Sequence, residues 1–224
     1  MTATETTMIP DAKLQGGKAV VLQRGVRPSR PRLLDLFCGC GGWSKSFIAR
    51  GWECVGVDIE SLGYPGQLIQ CSVLDLTPDF IDSFDAITSS PPCEEFARAW
   101  LPWLRGDKNP EAWAVELLEW SVALCKDKPN RITECSNFAG RHVSGGTRFE
   151  SYTLWGDIPL LMPQLPRGKM AKSGMHPELR AEIPPALADW IADNFTRRLA
   201  AWPNDQKLSH AAGDCRQPKT RSEN

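Results

Sequence analysis

The sequence predicts an α/β protein built on a doubly wound, mostly parallel sheet, and three observations predict it. An apolar run, Arg32-Leu33-Leu34-Asp35-Leu36-Phe37, enters a glycine-rich turn, Cys38-Gly39-Cys40-Gly41-Gly42. Trp43, Phe47 and Ile48 then recur at helical spacing, and a second run, Glu53-Cys54-Val55-Gly56-Val57-Asp58, ends on an acid. Strand, glycine turn, helix and acid-terminated strand make a nucleotide-binding βαβ unit. Two later apolar runs, one ending at Thr88 and one at Thr133, each lead into a loop carrying reactive side chains. In open parallel sheets, ligands bind at such strand ends.

Composition narrows the field. A chain of 224 residues with 42% hydrophobic and 24% charged residues suits one well-buried soluble domain with short appendages. The formal net charge of -1 means that any nucleic-acid partner must be met by local rather than global positive charge. The 8 cysteines include no C-x-x-C pair and stand beside only 3 histidines, which is poor spacing for structural zinc, so no metal is expected. A disulfide framework is not expected in a chain of this size without a signal peptide, which reads as a reducing, cytoplasmic compartment. No apolar run reaches membrane-spanning length, so no membrane is expected either.

Residues 1–30 read as a basic arm, partly disordered, with a short strand candidate at Ala19-Val20-Val21-Leu22. Arg24, Arg27, Arg30 and Arg32 crowd its end and either remain solvated or touch phosphates. Residues 31–202 form the predicted domain, and the polar, aperiodic residues 203–224 a disordered tail. In the first turn, Asp35, Phe37, Gly39 and Gly41 are candidate ligand contacts, because glycine lets the backbone approach a ligand closely. The turn reads G-C-G-G rather than G-x-G-x-x-G, which points to a ligand without a pyrophosphate. The helix after it stops at Arg50-Gly51. Asp58 is placed to bind ribose hydroxyls, with Ile59 beside it.

Leu68 to Leu76 is a short strand or turn. Asp75 at its end is a candidate for the amino group of an adenine, or else Asp75 and Thr77 cap the segment that follows. The fourth strand delivers Ser89-Ser90-Pro91-Pro92-Cys93-Glu94-Glu95-Phe96. Two prolines fix the backbone before the cysteine, and a thiol on a stiff loop can be aimed for nucleophilic attack. The alternative is an ordinary turn ending in a half-buried cysteine. Phe96, Trp100, Trp103 and Leu104 form an apolar cluster beyond it. From Pro110 to Lys126 the spacing predicts a helix with Pro110 in its first turn and Trp113, Leu117, Trp120 and Leu124 in the core. Glu134 ends the next strand, beside the strand that carries Cys93. Tyr152 to Gly156 is strand-like, Pro163 to Gly174 is an exposed basic loop carrying Arg167, Lys169 and Lys172, and Leu187, Trp190, Ile191 and Phe195 mark a final helix.

Taken together these stretches resemble the S-adenosylmethionine-dependent cytosine-C5 DNA methyltransferases, over roughly Arg32 to Phe195. Asp35 to Gly42 resembles that family's D-L-F-x-G-x-G-G cofactor turn, and Pro91-Pro92-Cys93 its P-P-C. Glu134 stands where the family has the glutamate of E-N-V, and Arg180 to Ala188 resembles its late G-N-x-V-P-P-x-L-A segment without the Gly-Asn pair. Glu134 is followed by Cys135 and Ser136 rather than Asn-Val, and Arg148 is the nearest match to the family's Q-x-R-x-R. The stretch that holds a large target-recognition domain in the family is here a short loop, as in compact phage and prophage forms.

The resemblance implies a Rossmann-like methyltransferase fold, S-adenosylmethionine as cofactor, and duplex DNA with a flipped-out cytosine as substrate, with room for a separate specificity partner. It implies Cys93, Glu134 and Arg148 as catalytic residues. Asp35, Phe37, Gly39, Gly41, Asp58, Ile59, Asp75 and Pro91 would hold the cofactor. Cys93 would add to C6 of the pyrimidine while Glu134 hydrogen-bonds N3. Three rivals remain. Amino-methylating DNA enzymes share the fold and use S-P-P-Y, to which Ser90-Pro91-Pro92 fits but Cys93 does not. A single-stranded or free pyrimidine nucleotide is a second possible substrate, and a catalytically silent binding module a third reading.

Overall fold

The computed structural model describes residues 30–97, 109–161, 163–164 and 183–201. The basic arm before Arg30, the cluster around Trp100 and Trp103, the basic loop with Arg167, Lys169 and Lys172, and the tail after 203 lie outside them. The described chain runs through β1 (Arg32–Leu36), α1 (Gly42–Ile48), β2 (Glu53–Asp58), β3 (Gln67–Gln70), α2 (Pro78–Ile81), β4 (Ala86–Ser89), α3 (Glu94–Ala97), α4 (Ala112–Cys125), β5 (Arg131–Ser136), β6 (Thr147–Phe149), β7 (Tyr152–Gly156) and α5 (Pro185–Ala201).

The strands form one 7-stranded sheet in the order β3-β2-β1-β4-β5-β7-β6. The first five are parallel, and β7 runs antiparallel to both its neighbours. The chain winds outward from β1 through β2 to β3, then restarts on the other side with β4. The switch point therefore falls between β1 and β4, and the crevice at their carboxyl ends is where such sheets bind ligands. This is the Rossmann-like α/β fold that the strand–turn–helix pattern predicts.

Burial on both faces explains the near-continuous apolar runs of the central strands. On one face Leu33, Trp43, Phe47, Trp52, Ile132, Leu154, Leu187, Ile191 and Phe195 pack together beneath α1 and α5. Those two helices are tied by Arg50, which reaches Asp189 at 2.9 Å and Asp193 at 2.6 Å, and by Trp52 Nε1 donating to Thr196 Oγ1 at 2.9 Å. On the other face Leu34, Leu36, Val55, Val57, Phe80, Phe84 and Ile87 pack against α2 and α4. Among the described residues no helix is long and apolar enough to cross a membrane.

Several expectations are corrected. The third strand ends at Gln70 and is followed by a 3-10 turn over Val73–Asp75. Thr77, not Asp75, caps the next helix, its Oγ1 accepting from the Phe80 N–H at 3.3 Å. In α4 Glu111 occupies the cap position, so Pro110 precedes the helix rather than joining its first turn. The stripe of α4 that meets the sheet is Ala114, Leu118, Ser121 and Cys125. Small residues there let the helix approach closely, while Leu117, Trp120 and Leu124 pack at its flank and Trp113 is 48% exposed. Arg32 is not part of a free arm: its guanidinium lies 4.2 Å from the Phe84 ring centre, at the amino end of β1 and so away from the switch point.

The crossover from β2 to β3, Ile59 to Gly66, contains no helix. Parallel strands are ordinarily joined by a dozen or more residues, usually helical. Here Tyr64 and Pro65 take that place, and the glycines under them explain how. A Cβ at Gly56 would meet the Tyr64 ring at 2.6 Å, one at Gly66 would meet it at 2.9 Å, and one at Gly41 would meet Pro65 at 2.4 Å.

Candidate active site

Register brings the reactive residues into one line. Val57 pairs with Leu36, Leu36 with Ser89, and Ser89 with Thr133. The next residue of each strand, Asp58, Phe37, Ser90 and Glu134, therefore follows one row along the carboxyl edge of the sheet. Thr133 donates its hydroxyl to the Ser121 carbonyl of α4, so alternation turns Glu134 to the opposite face, the side of α1.

The turn after β1 is shaped by backbone conformation. Phe37 has φ 55, Gly39 φ 50 and Gly41 φ 79, all in the left-handed region. For the phenylalanine this costs on the order of 1–3 kcal/mol, and such residues persist where the surroundings over-determine them. Asp58 Oδ2 accepts the Gly39 N–H at 2.9 Å, which closes the turn against the end of β2. The other glycines face packed atoms: a Cβ at Gly42 would lie 3.0 Å from the Ile183 backbone nitrogen, which shows that the segment entering α5 returns to this turn. A Cβ at Gly39 would meet nothing within 4 Å. Gly39 therefore looks onto open space, flanked by the 68% exposed Ile59 and the carboxylate of Asp58. Asp75 is exposed on its 3-10 turn, beyond the end of β3.

Asp35 is placed differently from a surface contact. It is 1% exposed, its two oxygens accepting from Ser44 Oγ at 2.6 Å and Thr88 Oγ1 at 2.9 Å. The Tyr64 hydroxyl lies 2.5 Å from Ser44 Oγ. The carboxyl thus binds β1 to α1 and β4 beneath the turn, and burial pushes its pKa up to about 7 against the pull of both hydroxyls.

The loop after β4 carries the second cluster. Ser90 N–H donates to the Leu36 carbonyl at 3.1 Å, Pro91 is buried, and Cys93 is partly exposed. Cys93 packs against a core formed by Phe96, Ala114, Leu118, Cys135, Ala139 and Trp155. Glu134, 6% exposed, lies within electrostatic range of the Cys93 sulfur. Burial raises the Glu134 carboxyl to about 7, opposed only by the Ser90 hydroxyl within its reach. The Cys93 thiol is pushed up to about 12 by burial, then by the charges of Glu134 and Glu94. The resting pair thus holds a neutral thiol beside a carboxyl that gains or loses its proton near neutrality.

Arg148 is not brought to this pair. It is exposed on the edge strand β6 and pairs with Thr153, which pairs with Cys135, so it faces the side of the sheet opposite Glu134. Three residues that sequence reasoning did not single out do belong to the neighbourhood. Ser90 accepts from Trp43 Nε1 at 2.9 Å, and Tyr152 feels both Glu134 and Cys93. Ser90 had a visible signal, standing immediately before the two prolines; Trp43 and Tyr152 had none beyond apolar spacing.

No family model matches the chain. Among curated proteins it is similar to the Type II methyltransferase M.AplI of Arthrospira platensis, 34% identical over 71 residues, 29% of this chain and 21% of that protein. The chain thus spans about a fifth of that relative's length. Among solved structures it overlaps a putative DNA modification methyltransferase encoded within an E. coli prophage, with a TM-score of 0.36 and 20% identity over 52% of this chain and 38% of that one. It also overlaps a mutant of Spodoptera frugiperda DNMT2, with a TM-score of 0.31 and 21% identity over 48% and 36%. These are partial likenesses.

Proposed function

We propose that this protein is a DNA methyltransferase using S-adenosylmethionine, and that its target is C5 of cytosine. The observation that carries the reading is the pair Cys93, on the loop after β4, and Glu134, on the neighbouring parallel strand β5, beside the switch point, with a glycine turn open to a ligand on the other side of that point. A nucleophile and a carboxyl that is protonatable near neutrality are the two groups that C5 chemistry on a pyrimidine needs.

The residues at the turn fit the cofactor. Gly39 offers a backbone surface without a side chain, Asp58 an acceptor for ribose hydroxyls, and the exposed Ile59 an apolar face for a base. Phe37, Gly41 and Pro91 line or shape the same crevice, Asp75 would reach the base from its outer end, and Asp35 would support the turn from below. When bound, S-adenosylmethionine supplies an electrophilic methyl group.

The chain's own residues do the rest. Cys93, partly exposed, would give up its proton to solvent as its sulfur bonds to C6, which converts the 5,6 double bond into an electron-rich centre at C5. Glu134, in its protonated form, would donate to N3 and hold the charge arising on the ring. After methylation a base removes the C5 proton and the sulfur leaves C6, restoring the double bond and the free cysteine. A neutral thiol at rest fits this order, because the thiolate forms only when a ring is present to accept it. Duplex DNA would have to surrender its base to the crevice, at a cost of about a few kcal/mol. Arg148, exposed on β6, would serve by touching incoming substrate.

The deciding experiment is incubation with isotopically labelled S-adenosylmethionine and, in parallel, duplex DNA, single-stranded DNA, RNA and free cytidine nucleotides. Digestion to nucleosides and mass analysis then identify the product. 5-Methylcytosine from DNA is expected. N4-methylcytosine or N6-methyladenine would overturn the C5 assignment, and label confined to a free nucleotide would overturn DNA as the substrate.

A further inference from the structure

We propose that Ser90 is a positioning residue for the Glu134 carboxyl, directed to that task by the indole N–H of Trp43. This rests on the reading of Glu134 given above and extends it to residues for which that chemistry assigns no role.

The geometry has three parts. Trp43 opens α1 directly after the glycine turn, is 2% exposed, and donates Nε1–H to Ser90 Oγ at 2.9 Å. A serine hydroxyl has one hydrogen to give. With its oxygen accepting from the indole, that hydrogen is free to point elsewhere. The sheet register then decides where: Ser89 stands opposite Thr133, so Ser90 and Glu134 are the next facing pair, on the α1 side of the sheet. The Ser90 hydroxyl is the side-chain group that favours the charged form of Glu134.

Among the described residues, the other ionisable groups within electrostatic range of that carboxyl are Cys93 from the loop after β4, Tyr152 from β7 and, from the opposite face of its own strand, Cys135. All three are acids, whose anions would repel the carboxylate. Ser90 is thus set apart from every neighbour in the direction of its effect. Its backbone is fixed as well, by the N–H bond to Leu36 on one side and by Pro91 on the other. The line Trp43–Ser90–Glu134 joins the helix behind the cofactor turn to the carboxyl that would meet the base. It keeps the carboxyl in one orientation and sets the pH at which it holds its proton.

The test is a 13C NMR titration of the full chain labelled at the glutamate δ-carboxyl, with the Glu134 resonance assigned by its loss in Glu134→Gln. Ser90→Ala removes the donor that favours the carboxylate, so the Glu134 midpoint should move upward by roughly one pH unit, the worth of a hydrogen bond to a charged group. Trp43→Phe should move it the same way by less, and Ser90→Thr, which keeps the hydroxyl, should restore the wild-type midpoint. A midpoint unchanged in both Ser90→Ala and Trp43→Phe overturns the proposal. In the methyl-transfer assay the alkaline limb of the pH–rate profile should move upward with the same variants. A wild-type chain that transfers no methyl group would remove the functional reading, while the titration would still decide whether Ser90 governs Glu134.

Discussion

The Asp58 carboxylate accepts the backbone N–H of Gly39 across 2.9 Å, so the end of the second strand holds the turn that follows the first. The same residue is therefore asked both to shape the turn and to meet a ligand there. Asp58→Ala should weaken S-adenosylmethionine binding about tenfold or more by titration calorimetry. Asp58→Asn keeps an acceptor for the Gly39 N–H and should lose less. Equal affinity in the Ala variant and the wild type would end the ribose role.

Cys93 should be slow to alkylate at neutral pH, because its thiol is held up to about 12 by burial and by the charges of Glu134 and Glu94. Removing one of those charges lowers the cost of forming the thiolate, so Glu134→Gln should speed reaction with iodoacetamide, followed by mass spectrometry of the peptide. Cys93→Ala should abolish methyl transfer while leaving cofactor binding intact. Unchanged turnover in that variant would dismiss the nucleophile.

Much of this arrangement was legible in the chain. Strong β-forming runs followed by glycine, proline or acid marked β1, β2, β4 and β5, and their order placed Cys93 after one strand and Glu134 on its neighbour. What was hidden depends on contacts distant in sequence. The inward face of α4 is one residue out of step with its tryptophans, because the sheet leaves room there for Ala114, Leu118, Ser121 and Cys125 but not for an indole. β6, with 3 residues, is too short for any periodicity to announce it, so Arg148 looked closer to the pair than it stands. The buried state of Asp35 follows from Ser44 and Thr88, and no local pattern links those three.

Stability should fall as pH rises through the window set by Asp35. Its folded pKa is raised to about 7 from the ordinary aspartate value of 3.8, so between those limits the folded chain binds more protons than the unfolded one. Stability from this group is full below the unfolded value and is lost as pH passes the folded value. Thermal melting between pH 4.5 and 8 should show a declining midpoint in the wild type and a flatter profile in Asp35→Asn, with Glu134, also raised to about 7, supplying what slope remains. A wild-type midpoint that climbs over this range would contradict the placement of Asp35.

Gly56→Ala should destabilise the fold by about 1–3 kcal/mol, since its Cβ would press on the Tyr64 ring and the Cys38 sulfur, each at 2.6 Å. Replacing Tyr64 by Leu in the same chain should recover part of that loss, giving a non-additive pair in denaturant melts. Strict additivity would mean that the ring does not press on the strand.

The helix-free passage between the second and third strands has a consequence for how this chain can change over generations. Gly41, Gly56 and Gly66 belong to three separate segments, yet the same tyrosine–proline step presses on all three. Each also has a constraint of its own: Gly41 its φ of 79, Gly56 the Cys38 sulfur and Gly66 the Cys54 carbonyl. Lineages that lengthen this connection into a helix would therefore ease the three positions without freeing them, and lineages that keep it short should hold all three glycines together.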